Sequence, residues 1–475
     1  METTKVSVSS KLIILVLAIF VSYLIFLNLV CSVYTNAVLY VIIVAPVFAA
    51  ILFLSSKINI LPAPFAVMVF IMAFLIKGVF AAMIDTPPIS DFNTFYKYAI
   101  LLTQGDKSFG QLFYFKTWAY QTGPVIYYSA IMKMFGTGLL PLKLVNCFFM
   151  AGSNMLVYLI ARKVSNDFTA RFVALLYLVY PAPYFLTPVL TNQHFAACMF
   201  LAGIYVLMVG SMNLILRGFL AGLLMSVGNA VRPLGLLIIV AVIIWSLIQA
   251  VSFKKTATLV MTAVLLIVYL SGSFGLSAAV RRTEINPEGL RNNFPLWKFV
   301  IGFNQNSKGQ FNYDDQNNIF LIEDFSKRNS AALETIKKRI SIEPYKMISF
   351  IGTKVNLMWA EFDTMMWGFY EKEDGKLKAS KEIQRIEPIV LRIEKIFYFL
   401  VFILLLIGLI RSLISRGIKS EILLVSVILL CFFGVHLLIE IQVRYRYFAV
   451  LLVFVLAAKG SEVLFAPFTK YTKYQ

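Results

Sequence analysis

Charge is scarce in this chain. Only 14% of its 475 residues are Asp, Glu, Lys or Arg, against about 25% in soluble domains. Hydrophobic residues make up 60%, and the mean hydropathy is +0.80. A soluble globular protein is excluded, because about 20 consecutive apolar residues cross a bilayer and this composition supplies on the order of a dozen such runs. Cysteine is scarcer still. Cys31, Cys147, Cys198 and Cys431 each lie in or at the end of an apolar stretch, with no C-x-x-C spacing and no histidine-rich partner. This speaks against a disulfide framework or a zinc site and leaves small buried hydrophobes. Acids are the rarer charge, 24 against 43 Lys and Arg, for a formal net charge of +19. Such a balance raises nucleic acid as a partner, and where the bases sit decides it.

Lys5 and Lys11 precede an apolar run from Leu12 to about Val33. The run is too long for a signal-peptide core, no small-residue cleavage site closes it, and Leu29-Val30-Cys31 lacks the small residue of a lipoprotein signal; a retained first helix is expected. Apolar runs able to span fall at about 12–34, 37–55, 60–84, 139–161, 168–186, 192–212, 214–229, 233–252, 257–280, 393–411, 420–441 and 445–465. The expected fold is an all-α polytopic membrane protein of about 12 transmembrane helices (11–13), with amphipathic interfacial helices in two extracytoplasmic loops. With the N-terminus in the cytoplasm, Lys57, Arg162/Lys163/Arg171, Arg217, Lys254/Lys255, Arg411/Arg416/Lys419 and Lys470/Lys473 all fall on the cytoplasmic side. Merging the pair around 214–252, which Arg232-Pro233 interrupts, into one span would carry the C-terminal clusters across.

The chain then divides into N-terminal transmembrane helices (1–84), a first extracytoplasmic loop (85–138), central transmembrane helices (139–280), a large extracytoplasmic segment (281–392) and C-terminal helices with a short tail (393–475). The first outer segment carries four bases and three acids and the second eighteen and fifteen, so together they hold only +4 of the +19. The basic excess is a topology signal, the partner it implies is the lipid bilayer, and nucleic acid is not expected. Neither outer segment has a cysteine or an N-x-S/T sequon, which points to a bacterial plasma membrane with both termini cytoplasmic.

The first outer segment opens Asp85-Thr-Pro-Pro-Ile-Ser-Asp91-Phe-Asn-Thr-Phe-Tyr96. Pro87-Pro88 ends the preceding helix and Ser90 is a suitable N-cap for the next. Phe92, Phe95, Tyr96, Ala99 and Leu102 then recur at helical spacing, so this helix is expected to lie in the interface. Asp91 in its first turn either suits the helix dipole or is a carboxylate at the lipid surface able to deprotonate an acceptor hydroxyl. Trp118 through Gly136 reads as a turn and a second interfacial helix with headgroup-facing tyrosines. His194, Arg232, Glu440, Arg444 and Arg446 fall at span ends on the same outer boundary. Each has a plain explanation, such as a snorkelling arginine or a Glu440–Arg444 i,i+4 pair. Their convergence suits a phosphate-bearing lipid and a hydroxyl to be deprotonated.

These stretches resemble the membrane glycosyltransferases of the GT-C superfamily, near the protein O-mannosyltransferase and aminoarabinose-transferase branch. The resembling segments are TPPISDFNTFYKYAILLTQGD at 86–106, GPVIYYSAIMKMFG at 123–136, GNAVRPLGLL at 228–237, IGFNQNSKGQFNYDD at 301–315, PYKMISFIGTKVNLMW at 344–359 and EIQVRYRYF at 440–448. The resemblance implies a sugar donor carried on polyprenyl phosphate and transferred with inversion on the extracytoplasmic side; the large outer segment lacks the repeats of a protein-recognition domain, so a cell-envelope polymer or lipid is expected as acceptor rather than protein. The resemblance also implies Asp91 as the catalytic acid, with Asp85 second, and Arg232, Arg444 and Arg446 as holders of the lipid phosphate. Glu440 would orient an arginine, and His194 and Tyr96 would support the site. The chain departs from the branch in having Phe92 where many members pair a second acid, Gln193-His194 where many carry an acid, and two extra leading spans.

No cofactor is required by this chemistry, since a lipid phosphate already leaves well; a divalent metal is left open. The acid pairs Asp314-Asp315 and Glu361/Asp363 read as solvated loop residues. Lys337, Lys338, Arg339, Lys346 and Lys354 alternate with apolar residues over 333–359, as in surface helices on anionic headgroups. Two other classes fit the composition: a transporter or flippase, for which only Lys77 and Lys143 offer charges inside spans, and a lipid-linked polysaccharide ligase or polymerase that works without an essential carboxylate.

Overall fold

The computed structural model describes residues 8–373 and 376–466. Lys5, Lys470 and Lys473 of the expected cytoplasmic clusters lie outside the described residues. Ten helices among them are long and apolar enough to cross a membrane, so the protein is a multi-pass membrane protein. The two remaining apolar runs form shorter helices, Asp167–Val179 and Gln193–Leu207. The first stops before Pro181, and a 3-10 turn, Ala182–Leu186, occupies the rest of the expected run. Residues 169–178 of the first are all buried, as befits a helix apolar on every side that packs against protein rather than lipid. The interrupted pair is two helices, Leu214–Val231 and Gly235–Phe253, parted by Arg232 in extended conformation and by Pro233.

Basic loops bond to one another at one end of the bundle. Arg171 donates to the Ile58 and Ile60 carbonyls and pairs with Asp167, which Arg162 also meets at 2.8 Å. Ser165 Oγ donates to Glu462 at 2.6 Å, and Lys419 reaches the Lys163 carbonyl at 3.4 Å. The two long segments therefore cluster at the opposite end.

There, the helix Ser90–Thr103 buries Phe92, Phe95, Ala99 and Leu102, the stripe its spacing predicts. Ser90 is not the N-cap: it is the first helical residue, at φ +49°, after an extended Ile89, and no side-chain capping bond is made. A second helix, Thr122–Phe135, follows. Residues of the large outer segment build their own small apolar core from Phe294, Trp297, Val300, Ile301, Ile319 and Phe320, with Phe113 and Trp118 of the first segment packed on it. Trp118 stacks on Phe320 with ring centroids 4.3 Å apart. A short antiparallel hairpin, Glu371–Glu373 with Lys376–Lys378, is the one strand pairing among the described residues.

Two readings of this segment need correcting. Lys354, expected on the surface, is buried and donates to the carbonyls of Gly302, Leu437 and Ile439 at 2.8–2.9 Å. Arg339 turns inward onto Asp315, which is buried rather than solvated and also accepts from Asn304. The span expected over 393–411 lies within a 34-residue helix, Lys381–Ile414, which is longer than a single bilayer crossing requires.

Candidate active site

The end of the bundle that carries residues 85–138, with the segment packed over it, lines a cavity of about 690 Å³. Asp91, Tyr114, Lys298, Glu440, Arg444 and Tyr445 line it, so residues up to 354 positions apart in sequence meet there. Asp91 is placed by the first turn of Ser90–Thr103, whose apolar face is sunk in the core. Its Oδ1 accepts a hydrogen bond from Tyr114 Oη at 2.9 Å. Burial, and then the neighbouring Asp91 carboxylate, hold the Tyr114 phenol well above its ordinary value; it remains a donor at any physiological pH.

The opposite wall is a strip of non-helical chain. The helix Ser420–Leu438 ends before Glu440, and Val443–Arg446 is a 3-10 turn. The i,i+4 pair expected between Glu440 and Arg444 therefore does not form, because the backbone between them is not α-helical. Instead Glu440 forms an ion pair with Lys298 and accepts from Gln442 Nε2 at 2.7 Å. Gln442 Oε1 in turn accepts from Arg444 Nε at 2.6 Å. Glu440 thus orients Arg444 through Gln442. Burial works to raise Glu440 and to lower Lys298, but each outweighs that effect on the other: the carboxyl is held below its usual value and the ammonium above. Both stay charged across the neutral range.

Tyr445 collects cations. The guanidinium of Arg232 stands 5.4 Å from its ring centroid, and Lys298 and Arg444 stand at 5.6 Å. Arg444 also lies 5.1 Å from the ring of Phe92, the residue next to Asp91. Arg232 donates to Asn192 Oδ1 at 3.0 Å from behind Tyr445; burial pushes it down to about 10, leaving it charged. Three cations face one carboxylate here, so the wall is net positive. Low-dielectric surroundings strengthen its pull on an anion.

Other residues expected at the site stand apart from it. Arg446 is buried and turned onto Asp363 at 3.0 Å and Glu394 at 3.7 Å, so its charge is already met by two acids. Asp363, expected in a solvated loop, is buried in that pair and caps the turn Thr364–Phe369. Asp85 is almost fully exposed, 3.6 Å from Lys143, and does not line the cavity. His194 is fully buried, with Nδ1 3.0 Å from Tyr447 Oη and Nε2 3.3 Å from the Leu186 carbonyl, and is a packing residue. Tyr96 donates to the Thr137 carbonyl at 2.9 Å, joining the two interfacial helices outside the cavity. No group of three or more His, Cys, Asp or Glu side chains that could hold a metal occurs among the described residues.

Lys298 was invisible in the sequence, one of eighteen bases in a long segment with nothing to mark it. It is set in place by the short helix Trp297–Gly302. A Cβ on Gly302 would lie 2.2 Å from the Leu438 carbonyl, so only glycine permits this helix to rest against the start of the Glu440 strip. Gly302→Val is accordingly expected to separate Lys298 from Glu440 and to lower thermal stability, read by melting temperature.

No family model matches the chain, and no curated protein matches it in sequence. In structure it is similar to the archaeal oligosaccharyltransferase AglB from Archaeoglobus fulgidus in complex with an inhibitory peptide and a dolichol-phosphate, at 11% identity and a TM-score of 0.48. That match covers 85% of this chain and 51% of the other, so the chain spans about half the length of AglB. It is also similar to ArnT from Cupriavidus metallidurans bound to undecaprenyl phosphate, at 12% identity and a TM-score of 0.36, covering 84% of this chain and 77% of that one. With TM-scores below 0.5, the chemistry rests on the cavity's own residues.

Proposed function

We propose that the protein is a glycosyltransferase that moves a sugar from a polyprenyl-phosphate donor to an acceptor hydroxyl. One observation carries this reading: a carboxylate, Asp91, shares a cavity with two cations, Lys298 and Arg444, and Arg232 stands behind them on the ring of Tyr445. A lipid-linked sugar needs both features at that depth. Its phosphate carries the negative charge that the cations meet, and its anomeric carbon must be attacked by an oxygen whose proton has somewhere to go.

The reaction is a single displacement with inversion. Asp91 takes the acceptor proton as the new C–O bond forms, and the bond between the anomeric carbon and the phosphate oxygen breaks. Arg444 and Lys298, backed by Arg232, hold the negative charge that the polyprenyl phosphate carries away. Tyr114 fixes the rotamer of Asp91 and leaves its second carboxylate oxygen for the acceptor. The distribution of Lys and Arg supports an extracytoplasmic site, the absence of cysteine and sequons from the two long segments supports a bacterial plasma membrane, and an envelope polymer or lipid is the acceptor in this reading.

Arg444→Ala tests the phosphate role. The substitution removes an exposed-edge cation without leaving a buried charge unpaired, so the chain should fold. Donor KM is expected to rise about tenfold or more, with acceptor KM little changed. A donor KM equal to wild type in a folded Arg444→Ala protein would reject the assignment. Composition analysis of cell-surface glycans from cells with and without the active chain then identifies the sugar, and the polymer that loses it identifies the acceptor.

A further inference from the structure

A second cavity, of about 280 Å³, lies beside the first with Tyr120 in the lining of both. It opens between the helices Leu214–Val231 and Ala257–Arg282 and is lined by Ser226, Asn229 and Ser277, with Phe274, Arg281 and Arg291. Nothing in the proposed transfer uses it.

Its outer helix faces lipid. Ile267, Leu270 and Phe274 are 63%, 55% and 67% exposed, on a helix long and apolar enough to span. Their spacing of three and four residues puts them in one stripe. Arg281, seven residues after Phe274, continues that stripe to the membrane boundary, and its guanidinium lies 5.9 Å from the Phe274 ring. An arginine at a span end commonly snorkels into headgroups without any site. This one is braced. Its Nη1 donates to Ser277 Oγ at 3.1 Å, and the same oxygen accepts from the Leu290 amide at 3.0 Å. Gly289, at φ +68°, makes the turn that brings Leu290 there, and a Cβ at that position would lie 2.4 Å from Ser277 Oγ.

Arg291 is placed by the same turn, its carbonyl accepting from the Tyr120 amide at 3.0 Å. Neither guanidinium has a carboxylate partner among the described residues. Glu288, the nearest acid in sequence to Arg291, accepts instead from Asn293 at 3.0 Å. Two arginines at the outer end of a span also run against the general bias of Lys and Arg towards the cytoplasm, so a local anion is the physical reason for keeping them. Basic pockets between membrane helices bind phosphate headgroups in this way.

We propose that this second cavity binds a phosphate-bearing membrane lipid, with its phosphate on Arg281 and Arg291 and its chains along the stripe of Ile267, Leu270 and Phe274. The Ser277 hydroxyl and the Asn229 amide supply hydrogen bonds to the glycerol or sugar part of the headgroup. Such a lipid stands one side chain, Tyr120, away from the cavity that holds Asp91. The site requires a membrane but not glycosyl transfer, so it stands or falls independently of the proposed reaction.

The test uses the full chain purified in a maltoside detergent, which has no phosphate, and titrates lipid by native mass spectrometry. Dioleoyl phosphatidylglycerol is the probe, with dioleoylglycerol, which has the same chains and no phosphate, as the reference. The wild type is expected to prefer the phospholipid about tenfold or more. Arg281→Gln/Arg291→Gln is expected to lose that preference, and Asp91→Asn to keep it. A preference unchanged in the double variant would overturn the proposal. So would displacement of the phospholipid by an equal concentration of inorganic phosphate, which would make free phosphate the ligand. Should the double variant not fold, Arg291→Gln alone, at an exposed position, carries the same test with an expected loss of about threefold or more.

Discussion

Asp91→Asn is expected to abolish sugar transfer from a polyprenyl-phosphate donor while leaving the chain folded in detergent. The carboxamide has the size of the carboxylate, and its oxygen still accepts from Tyr114 Oη, the one side-chain hydrogen bond Asp91 makes among the described residues. What the change removes is the capacity to take a proton. A positioned general base contributes roughly 10²- to 10⁴-fold, so residual turnover is expected at or below about 1% of wild type. Donor KM should move little, because Arg444, Lys298 and Arg232 are untouched. The measurement is transfer by the reconstituted protein, with elution profile and melting temperature as the control for folding. The rival classes separate on this one variant. A transporter or flippase, and a ligase that works without a carboxylate, both keep full activity when Asp91 becomes Asn, and that outcome would reject the mechanism.

The second large effect falls on stability. Arg446→Met is expected to destabilise the fold by about 3–5 kcal/mol, enough to prevent recovery of monodisperse protein. Arg446 is buried between Asp363 and Glu394, and Glu394 also accepts from Tyr180 Oη. Without the guanidinium two carboxylates are left facing each other in a region that excludes water. Arg446→Lys, which keeps a charge but loses the second arm of the fork, should recover folded protein with a lowered melting temperature. Thermal unfolding in detergent reads both. Normal melting of Arg446→Met, with a raised donor KM, would instead return this arginine to the phosphate site.

Arg444 and Arg446 show how far the sequence reaches. Two arginines in EIQVRYRYF announce that cations stand at a span end, but not which way each points. That follows from the 3-10 turn Val443–Arg446, in which residues two apart lie about two-thirds of a turn round the axis. One side chain enters the cavity and the other enters the protein. Acids at positions 363 and 394 select the second, and no pattern in the chain couples those positions to 446. Periodicity, by contrast, carried the helix Ser90–Thr103 with its buried face and so the place of Asp91. Hydropathy carried the apolar runs, all twelve of which are helical, though two are too short to span. It could not say so, because a run of apolar residues is the same signal whether protein or lipid surrounds it. Lys298 illustrates the remaining gap: its partner lies 142 positions away, and an ion pair made by tertiary packing leaves no local trace.

The walls of the larger cavity come from stretches around residues 89–121, 297–320, 364–367 and 440–445. During synthesis the ribosome releases these in order, and Asp91 emerges long before the strip that carries Glu440 and Arg444. On the proposed reading, a nascent chain holds Asp91, Arg232 and Lys298 before Arg444, and the phosphate clamp closes only once the turn Val443–Arg446 has docked. Chains cut short before that turn are then expected to be inert towards a lipid-linked sugar.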